Sequence, residues 1–424
     1  MLDEIGSSID EVDPSRGPVV DLFSGSGVVA ASLARARSVT AVDIQEYARV
    51  LSSALLSPAR LSNVATMRLT AAAVSMANEL AETVLRGLLS WERAAVEALE
   101  ASDPEPLCGI IERGSFAALD VAEGPLEDSL VHTLSEVAPQ LGEIGVPLTL
   151  TRYYGGVYFG YRQALQLDCL LAVVRMIPQE AHRDTALAAV LGAASDSVTS
   201  VGSHFAQPLR PRDQQGRPKI HALRTLARRR QRDVCAIFLE RLRRYAEAPG
   251  TGHAAQAVCS DYRDFLASHR ADISVVYADP PYTRDHYSRF YHVLETIARG
   301  DTPQISTVTS AGRTSLSRGL YRLERHQSPF CIRSEVLEAF RSLFVAVGRF
   351  NAPLVLSYSP YSSGTAARPK PRLMTIQELV DLALETFDGV FVRSAGQLRH
   401  SKLNADRLNG THHPEAELFL ICTP

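Results

Sequence analysis

The chain has 424 residues, of which 46% are hydrophobic and 21% charged, and its formal net charge is −3. This is the composition of an ordinary globular protein, and the length predicts one large domain with a major insertion or two to three domains. The longest apolar run, residues 170–177, is too short for a membrane span and contains an arginine. The acidic residues 1–13 lack the pattern of a secretory signal, so a cytoplasmic location is expected.

The six cysteines are spread along the chain and include no CxxC pair. Their spacing therefore indicates neither a zinc site nor a disulfide framework, and reduced, mostly buried thiols are expected.

The first predicted elements are a strand, a helix and a second strand. Residues 19–22 form an apolar strand that contains Asp21, and a glycine-containing turn follows it. Residues 28–36 predict a helix, and residues 39–42 predict a β-branched strand that leads to Asp43. This order is a β-α-β unit, which begins a parallel, doubly wound sheet.

The sheet pattern then stops, and a long, mostly helical stretch follows. Residues 47–99 and 159–176 have helical composition or spacing, with a break at 103–106. A loop rich in Pro, Arg and Gln, residues 207–218, precedes a long arginine-rich helix predicted over residues 221–245.

Sheet signals return in the last part of the chain. The predicted fold is therefore an α/β, Rossmann-like sheet with a large helical insertion. Its parts are residues 1–54, with the first two strands, the insertion over residues 55–250, and residues 251–424, which complete the sheet. The later elements are strands at 257–259, 273–278, 354–358, 390–392 and 418–422 and a helix at 375–387.

The glycine turn after the first strand is a candidate ligand-binding loop. Glycines let the backbone approach a ligand closely, and the next helix offers unpaired amides at its N-terminus. Asp43 lies 22 residues after Asp21, where a carboxylate can accept hydrogen bonds from both hydroxyls of a ribose. The glycine turn alone also fits an NAD site or a plain tight turn. Asp261, at the end of the third strand, is either a helix cap or an acceptor for the amino group of a cofactor adenine.

The sequence Asp279-Pro280-Pro281-Tyr282 follows an apolar strand directly and fits the chemistry of amine methylation. An exocyclic amine is a poor nucleophile because its lone pair is delocalised into the base. The Asp279 carboxylate can accept one N–H and the Pro280 carbonyl the other, which frees the lone pair. The prolines hold the loop rigid, and Tyr282 offers a flat face for stacking a base. A rigid strand-end turn is the plainer interpretation of two prolines alone.

Together these motifs resemble those of the amino-methyltransferases, and the chain most resembles the Dam-like DNA N6-adenine methyltransferases. Residues 154–168, 287–301, 356–359 and 400–404 with 417–419 resemble further segments of a bacterial subset. The resemblance implies S-adenosylmethionine as the cofactor, no metal, and a flipped adenine in double-stranded DNA as the substrate. It implies catalytic roles for Asp279, Pro280, Pro281 and Tyr282, and cofactor binding by Asp21, Phe23, Ser24, Gly25, Gly27, Asp43, Ile44 and Asp261.

The chain departs from the family in one motif. Dam-like enzymes usually carry a glycine-glycine-lysine motif before the cofactor loop, and the residues before Asp21 contain none. Tyr154-Gly155-Gly156 is the nearest substitute, and it lacks the lysine. The resemblance therefore assigns no group to the methionine carboxylate.

In this family arrangement the insertion carries target recognition. Residues 203–245 contain twelve basic and three acidic residues, whereas residues 79–143 contain fourteen acidic and three basic ones. The basic stretch is either a solvated helical face or a surface for phosphates, and the motifs favour the second. A smaller basic segment, residues 313–333, is a second candidate for DNA contact or a surface loop. The predicted DNA-binding residues are Arg210, Arg212, Arg217, Lys219, Arg224, Arg228, Arg229 and Arg230.

Two other functions remain open. The same fold accommodates another acceptor, such as cytosine N4, an RNA adenine or a protein amide, and only the resemblance favours adenine. A cofactor-bound DNA-binding subunit of a modification, restriction–modification or defence complex is the non-catalytic alternative, against which the intact residues 279–282 argue. The sequence assigns neither a restriction nuclease partner nor an oligomeric state.

Overall fold

The computed structural model describes residues 1–121, 129–200, 202, 204–248, 250–281, 287–310, 313–359, 373–394, 398–399, 412–413 and 417–424. Contacts divide the chain into two compact units. Unit 1 comprises Met1–Pro58, Ala248–Ser288 and His326–Pro424, and unit 2 comprises Ala59–Glu247 and Arg289–Arg325. Residues 289–325 thus pack with the helical unit, although the sequence pattern grouped them with the sheet. The functional domain boundaries at residues 54 and 250 stay a prediction.

The strands, in chain order, are β1 (Val19–Leu22), β2 (Val39–Asp43), β3 (Ala255–Cys259), β4 (Val275–Ala278), β5 (Thr307–Ser310), β6 (Arg313–Leu316), β7 (Leu354–Tyr358), β8 (Gly389–Ser394), β9 (Leu398–Arg399), β10 (His412–His413) and β11 (Leu418–Thr423). The helices are α1 (Leu2–Val12), α2 (Val28–Leu33), α3 (Glu46–Leu56), α4 (Asn63–Thr83), α5 (Arg86–Glu100), α6 (Glu105–Arg113), α7 (Ser129–Glu143), α8 (Thr149–Tyr154), α9 (Tyr161–Arg175), α10 (Glu180–Ser197), α11 (Ile220–Arg230), α12 (Val234–Glu247), α13 (Tyr262–Ser268), α14 (Tyr287–Phe290), α15 (His292–Arg299), α16 (Val336–Gly348) and α17 (Ile376–Ala383).

Unit 1 is built on a seven-stranded sheet with the order β3-β2-β1-β4-β7-β11-β8. Strands β3, β2, β1, β4 and β7 run parallel to one another, and β11 runs antiparallel to both β7 and β8. The α/β, Rossmann-like fold predicted from the sequence is therefore confirmed. In such a sheet, ligands bind beyond the carboxyl ends of the strands, where the strand order reverses. Here that point is β1, which lies between β2 and β4.

Both faces of this sheet are covered, which explains why its central strands are buried and mostly apolar. Val20 and Leu22 lie in one core with Phe340 of α16, and Val19 and Tyr277 lie in the other, to which α1 contributes. Every residue of β1 and β4 is buried, as is typical of parallel strands between two layers.

Unit 2 consists of helices and the antiparallel hairpin of β5 and β6. The single helix predicted over residues 221–245 was wrong, because two helices, α11 and α12, occupy this range. The break has a local cause: the Asp233 carboxylate accepts a hydrogen bond from the Cys235 amide at 2.8 Å and so starts a new helix. Within the described residues, no helix combines the length and apolar character needed to cross a membrane.

Candidate functional site

A cavity of about 250 Å³ lies in unit 1 at the carboxyl ends of β1 to β4. This volume is close to the lower end of the range for small-molecule sites, roughly 300–1,000 Å³. Eight of the predicted catalytic and cofactor residues line it: Phe23, Gly25, Asp43, Ile44, Asp261, Asp279, Pro280 and Pro281. Asp21, Ser24 and Gly27 are not in its wall, and Tyr282 and residues 400–404 lie outside the described residues.

The glycine turn requires glycine at its last position. Gly27 has a φ of +76°, and a Cβ there would lie 2.7 Å from the Cα of Ser52 in α3. Gly25 also has a positive φ, +53°, but a Cβ there would meet nothing closer than 3.8 Å. The turn therefore packs against α3 at Gly27 and keeps its backbone open to the cavity at Gly25.

Phe23 also has a positive φ, of 63°, which is unusual for a bulky residue and costs about 1–3 kcal/mol. Its ring is held by two aromatic neighbours that also line the cavity. The ring centroids of Phe23 and Tyr262 lie 5.3 Å apart, and those of Phe23 and Phe330 lie 5.4 Å apart in an edge-to-face arrangement. The sequence pattern did not point to Tyr262 or Phe330. These three rings form an aromatic wall suited to a flat ligand.

Asp43 is oriented by backbone amides at the end of β2. One carboxylate oxygen accepts a hydrogen bond from the Gly25 amide at 3.0 Å, and the other accepts one from the Gln45 amide at 2.9 Å. Both contacts hold the carboxylate where it lines the cavity. The position is the one expected for a ribose-binding acid, and that role stays a prediction.

Asp261 caps α13, the plainer of its two interpretations. Its carboxylate accepts hydrogen bonds from the Arg263 amide at 2.9 Å and from Nε of Arg263 at 3.1 Å. Burial opposes ionisation of this carboxyl, but the Arg263 contacts outweigh burial and lower its pKa. Asp261 is therefore ionised at neutral pH. Its role toward a cofactor adenine stays a prediction.

Asp279 follows β4 directly and faces the cavity. Part of its side chain is accessible, yet desolvation by the surrounding protein and the nearby Glu417 carboxylate raise its pKa to about 8. Glu417 is itself held by Ser357, whose hydroxyl donates to Oε1 at 2.8 Å. The sequence pattern gave no role to Glu417, because only the pairing of β11 with β7 brings it to this edge.

The loop after Asp279 is anchored by a thiol. Sγ of Cys331 donates a hydrogen bond to the carbonyl of Pro281 at 3.0 Å, while Pro280 is buried. Cys331 is distant in sequence and carries no motif, so its contact could not be inferred from spacing. The contact fixes the Pro281 carbonyl. The Pro280 carbonyl remains the predicted acceptor for an N–H of the substrate amine.

Asp21 lies in β1 and is 1% exposed. Within the described part of the chain its Oδ2 has no hydrogen-bond partner. Burial, and then the neighbouring Asp279 and Asp43 carboxylates, raise its pKa well above the ordinary range. Asp21 therefore lies behind the glycine turn and not in the cavity wall, and its role toward a cofactor stays a prediction.

The predicted DNA-binding residues differ in whether their side chains are exposed and whether they form ion pairs within the protein. Arg212 is paired with Glu105 at 2.7 Å and with Glu112 at 3.0 Å. Arg230 is buried and paired with Glu92 at 2.9 Å, so the prediction that it contacts DNA disagrees with its position. Arg217 pairs with Asp213. The remaining five, Arg210, Lys219, Arg224, Arg228 and Arg229, are exposed.

Comparison with known proteins agrees with the motifs. Residues 217–351 match the family model of the D12 class N6 adenine-specific DNA methyltransferases. Over 137 residues the chain is 34% identical to the modification methylase LlaI of Lactococcus lactis subsp. lactis, a stretch that is 32% of this chain and 18% of that protein. The similarity thus covers about a fifth of that relative's length. No solved structure matches the chain at a significant level. The resemblance to DNA adenine methyltransferases is therefore confirmed.

Proposed function

We propose that this protein transfers a methyl group from S-adenosylmethionine to N6 of an adenine flipped out of duplex DNA. The observation that carries the proposal is that Asp279, Pro280 and Pro281 line the same cavity as Gly25 and Asp43. The family match over residues 217–351 includes the catalytic loop and supports an adenine acceptor. The name of the similar protein, modification methylase, supports a role in DNA modification.

The residues of the cavity suit S-adenosylmethionine. Asp43 offers acceptors for ribose hydroxyls, and Phe23 and Tyr262 offer faces for the adenine ring. The acidic character of the site favours a cationic ligand. When bound, this cofactor supplies a methyl group on a positively charged sulfur, which is a good leaving group.

The chain's own groups orient and activate the amine. The Asp279 carboxylate accepts one N–H and the Pro280 carbonyl accepts the other, so the nitrogen lone pair is directed out of the ring plane. With a pKa near 8, Asp279 is largely protonated at neutral pH in the free site. A positive charge in the cavity favours the ionised form. Cofactor binding would therefore prepare Asp279 as an acceptor, and its basicity suits removal of the proton that the methylated amine releases.

The test is to incubate the purified protein with S-adenosylmethionine and either unmethylated DNA or RNA, digest each to nucleosides, and measure methylated nucleosides by mass. We expect N6-methyladenine from DNA. N4-methylcytosine, or product from RNA alone, would replace the proposed acceptor. Bound cofactor without any product would favour the alternative of a subunit that needs a partner.

A further inference from the structure

Unit 2 contains a group of four arginines and one tyrosine, which we call the arginine cluster: Arg210, Arg289, Arg318 and Arg325 with Tyr321. The guanidinium carbon of Arg289 lies 5.6 Å from the centre of the Tyr321 ring, and that of Arg325 lies 5.0 Å from it. Burial raises the pKa of Tyr321, and the charges of Arg289, Arg325 and Arg318 oppose this rise. Arg210 is close enough to Arg318 for its charge, after burial, to lower the pKa of Arg318. Four positive charges are therefore held close together.

These charges lack the acidic partners that neutralise other arginines of unit 2. Arg212, Arg241 and Arg322 form ion pairs with Glu105, Asp196 and Asp301 respectively. Within the described residues, no member of the arginine cluster forms an ion pair. Uncompensated like charges at close range are unfavourable, so this arrangement is suited to an anion that arrives from outside.

Two of the guanidinium groups are affected by burial and by their charged neighbours. Burial, and then the charge of Arg289, lower the pKa of Arg325, and burial, and then Arg210, lower that of Arg318. Nε of Arg325 is buried and has no hydrogen-bond partner among the described residues. A buried donor without an acceptor is costly, of order 1–3 kcal/mol. An anion oxygen would relieve both effects.

The tyrosine at the centre is fixed from several sides. Its hydroxyl donates to the carbonyl of Ala206, its amide donates to Oγ of Ser317 at 3.1 Å, and its ring meets that of His292 edge-to-face with centroids 5.2 Å apart. The ring is therefore a rigid support for Arg289 and Arg325, which keeps the cost of ordering these side chains low on binding. Arg210 and Arg318 also line a cavity of about 520 Å³.

We propose that the arginine cluster binds phosphates of the DNA duplex, which makes residues 289–325 a DNA-contacting segment in addition to the basic stretch at 203–245. The proposal rests on the proposed function for the identity of the polyanion. Planar guanidinium groups match phosphate geometry with paired hydrogen bonds. Such contacts add affinity without sequence preference and make binding salt-dependent.

The test is the affinity of the full-length protein for a DNA duplex over a range of salt concentrations, for wild type and for Arg289→Ala/Arg325→Ala. Loss of each phosphate contact lowers the magnitude of the slope of log K against log salt by about 0.9. We expect a decrease of about 1.8 in the double variant, with an unchanged Kd for S-adenosylmethionine. Arg289→Gln should lower the magnitude of the slope by about 0.9. Because this is a single change at an exposed side chain, the variant should fold as wild type.

The matched control is Arg86→Ala/Arg244→Ala, which removes the same charge from unit 2. Both arginines are exposed and already paired, Arg86 with Glu82 and Arg244 with Glu240. The control variant should show the same slope of log K against log salt as wild type. An unchanged slope in the cluster variants, or an equal decrease in the control, would overturn the inference. If wild type methylates DNA and the slopes of wild type and the cluster variants agree, only this inference fails. If no DNA is methylated but the slopes of wild type and the cluster variants differ as expected, only the proposed methylation fails.

Discussion

The carboxylate of Asp43 accepts a hydrogen bond from the amide of Gly25 at 3.0 Å. This contact joins the end of β2 to the glycine turn after β1, and it orients the side chain proposed to hold the cofactor ribose. One residue therefore has both a structural and a proposed binding role. Its substitution should affect the cofactor more than the fold.

Replacement of Asp43 should weaken cofactor binding. Asp43→Ala removes the proposed acceptors for two hydroxyls and leaves the Gly25 amide unpaired, at about 1–3 kcal/mol for each partner lost. We expect the Kd for S-adenosylmethionine, measured by calorimetry, to rise at least about tenfold. Asp272→Ala, at an exposed aspartate of unit 1, is the control and should bind as wild type. Equal Kd values for the two variants would remove Asp43 from the cofactor site.

The two glycines of the turn should differ in their tolerance to alanine. In Gly27→Ala the new Cβ would lie 2.7 Å from the Cα of Ser52, a backbone atom that cannot easily move. Gly25→Ala carries the cost of the positive φ alone, about 1–2 kcal/mol, since no atom lies within 3.8 Å of its Cβ. We expect the lower thermal midpoint for Gly27→Ala. If the thermal midpoint of Gly27→Ala were as high as that of Gly25→Ala, the contact with α3 would not restrict the turn.

Asp279 should lower the stability of the free protein at alkaline pH. Its pKa is raised from 3.8 to about 8, so the folded state favours the protonated form. Ionisation therefore costs folding free energy from about pH 4 upward, and the cost is complete above pH 8. Asp279→Asn removes this cost because the asparagine side chain does not ionise.

The measurement is the difference in thermal midpoint between Asp279→Asn and wild type at pH 5 and at pH 8.5. We expect the variant to gain stability relative to wild type as the pH rises, while its methylation is lost. Added S-adenosylmethionine should reduce the difference, because a positive charge stabilises the carboxylate. A difference that is constant with pH would contradict the raised pKa.

Arg230 should act on stability, whereas its neighbour Arg229 should not. Arg230 is buried against Glu92, and its removal leaves a largely buried carboxylate without its ion-pair partner, at a cost of about 3–5 kcal/mol. Arg229 is exposed, and its replacement should change the free energy of unfolding by less than about 0.5 kcal/mol. Urea denaturation of Arg230→Ala and Arg229→Ala makes the comparison. Similar unfolding free energies would contradict the structural role of Arg230.

The sequence predicted the sheet better than the helical unit. Hydrophobic runs bounded by turns located β1, β7 and β11 closely, because strands buried within a sheet are mostly apolar. The break at Asp233 was missed, since an aspartate at that position suits an exposed helical face as well as a cap. Residues 289–325 pack with unit 2, a grouping that the sequence pattern did not indicate because their contacts join segments far apart in sequence.

The same distinction holds within the cavity. Asp43 and Asp279 were recognisable because each ends a strand and belongs to a motif. Cys331 and Glu417 were not, because they reach the site only through the packing of residues 326–331 and the pairing of β11 with β7. Sequence motifs thus located the groups proposed to touch the substrate, and long-range packing supplied the groups that hold and tune them.

The central claim is tested most directly by single-turnover methylation of duplex DNA with wild type and Asp279→Ala, together with the Kd for S-adenosylmethionine. The account predicts N6-methyladenine from wild type, a rate at least about a hundredfold lower in the variant, and cofactor affinities within a few-fold of each other. A variant rate within tenfold of wild type, or the absence of N6-methyladenine from a wild-type protein that binds both cofactor and DNA, would contradict it.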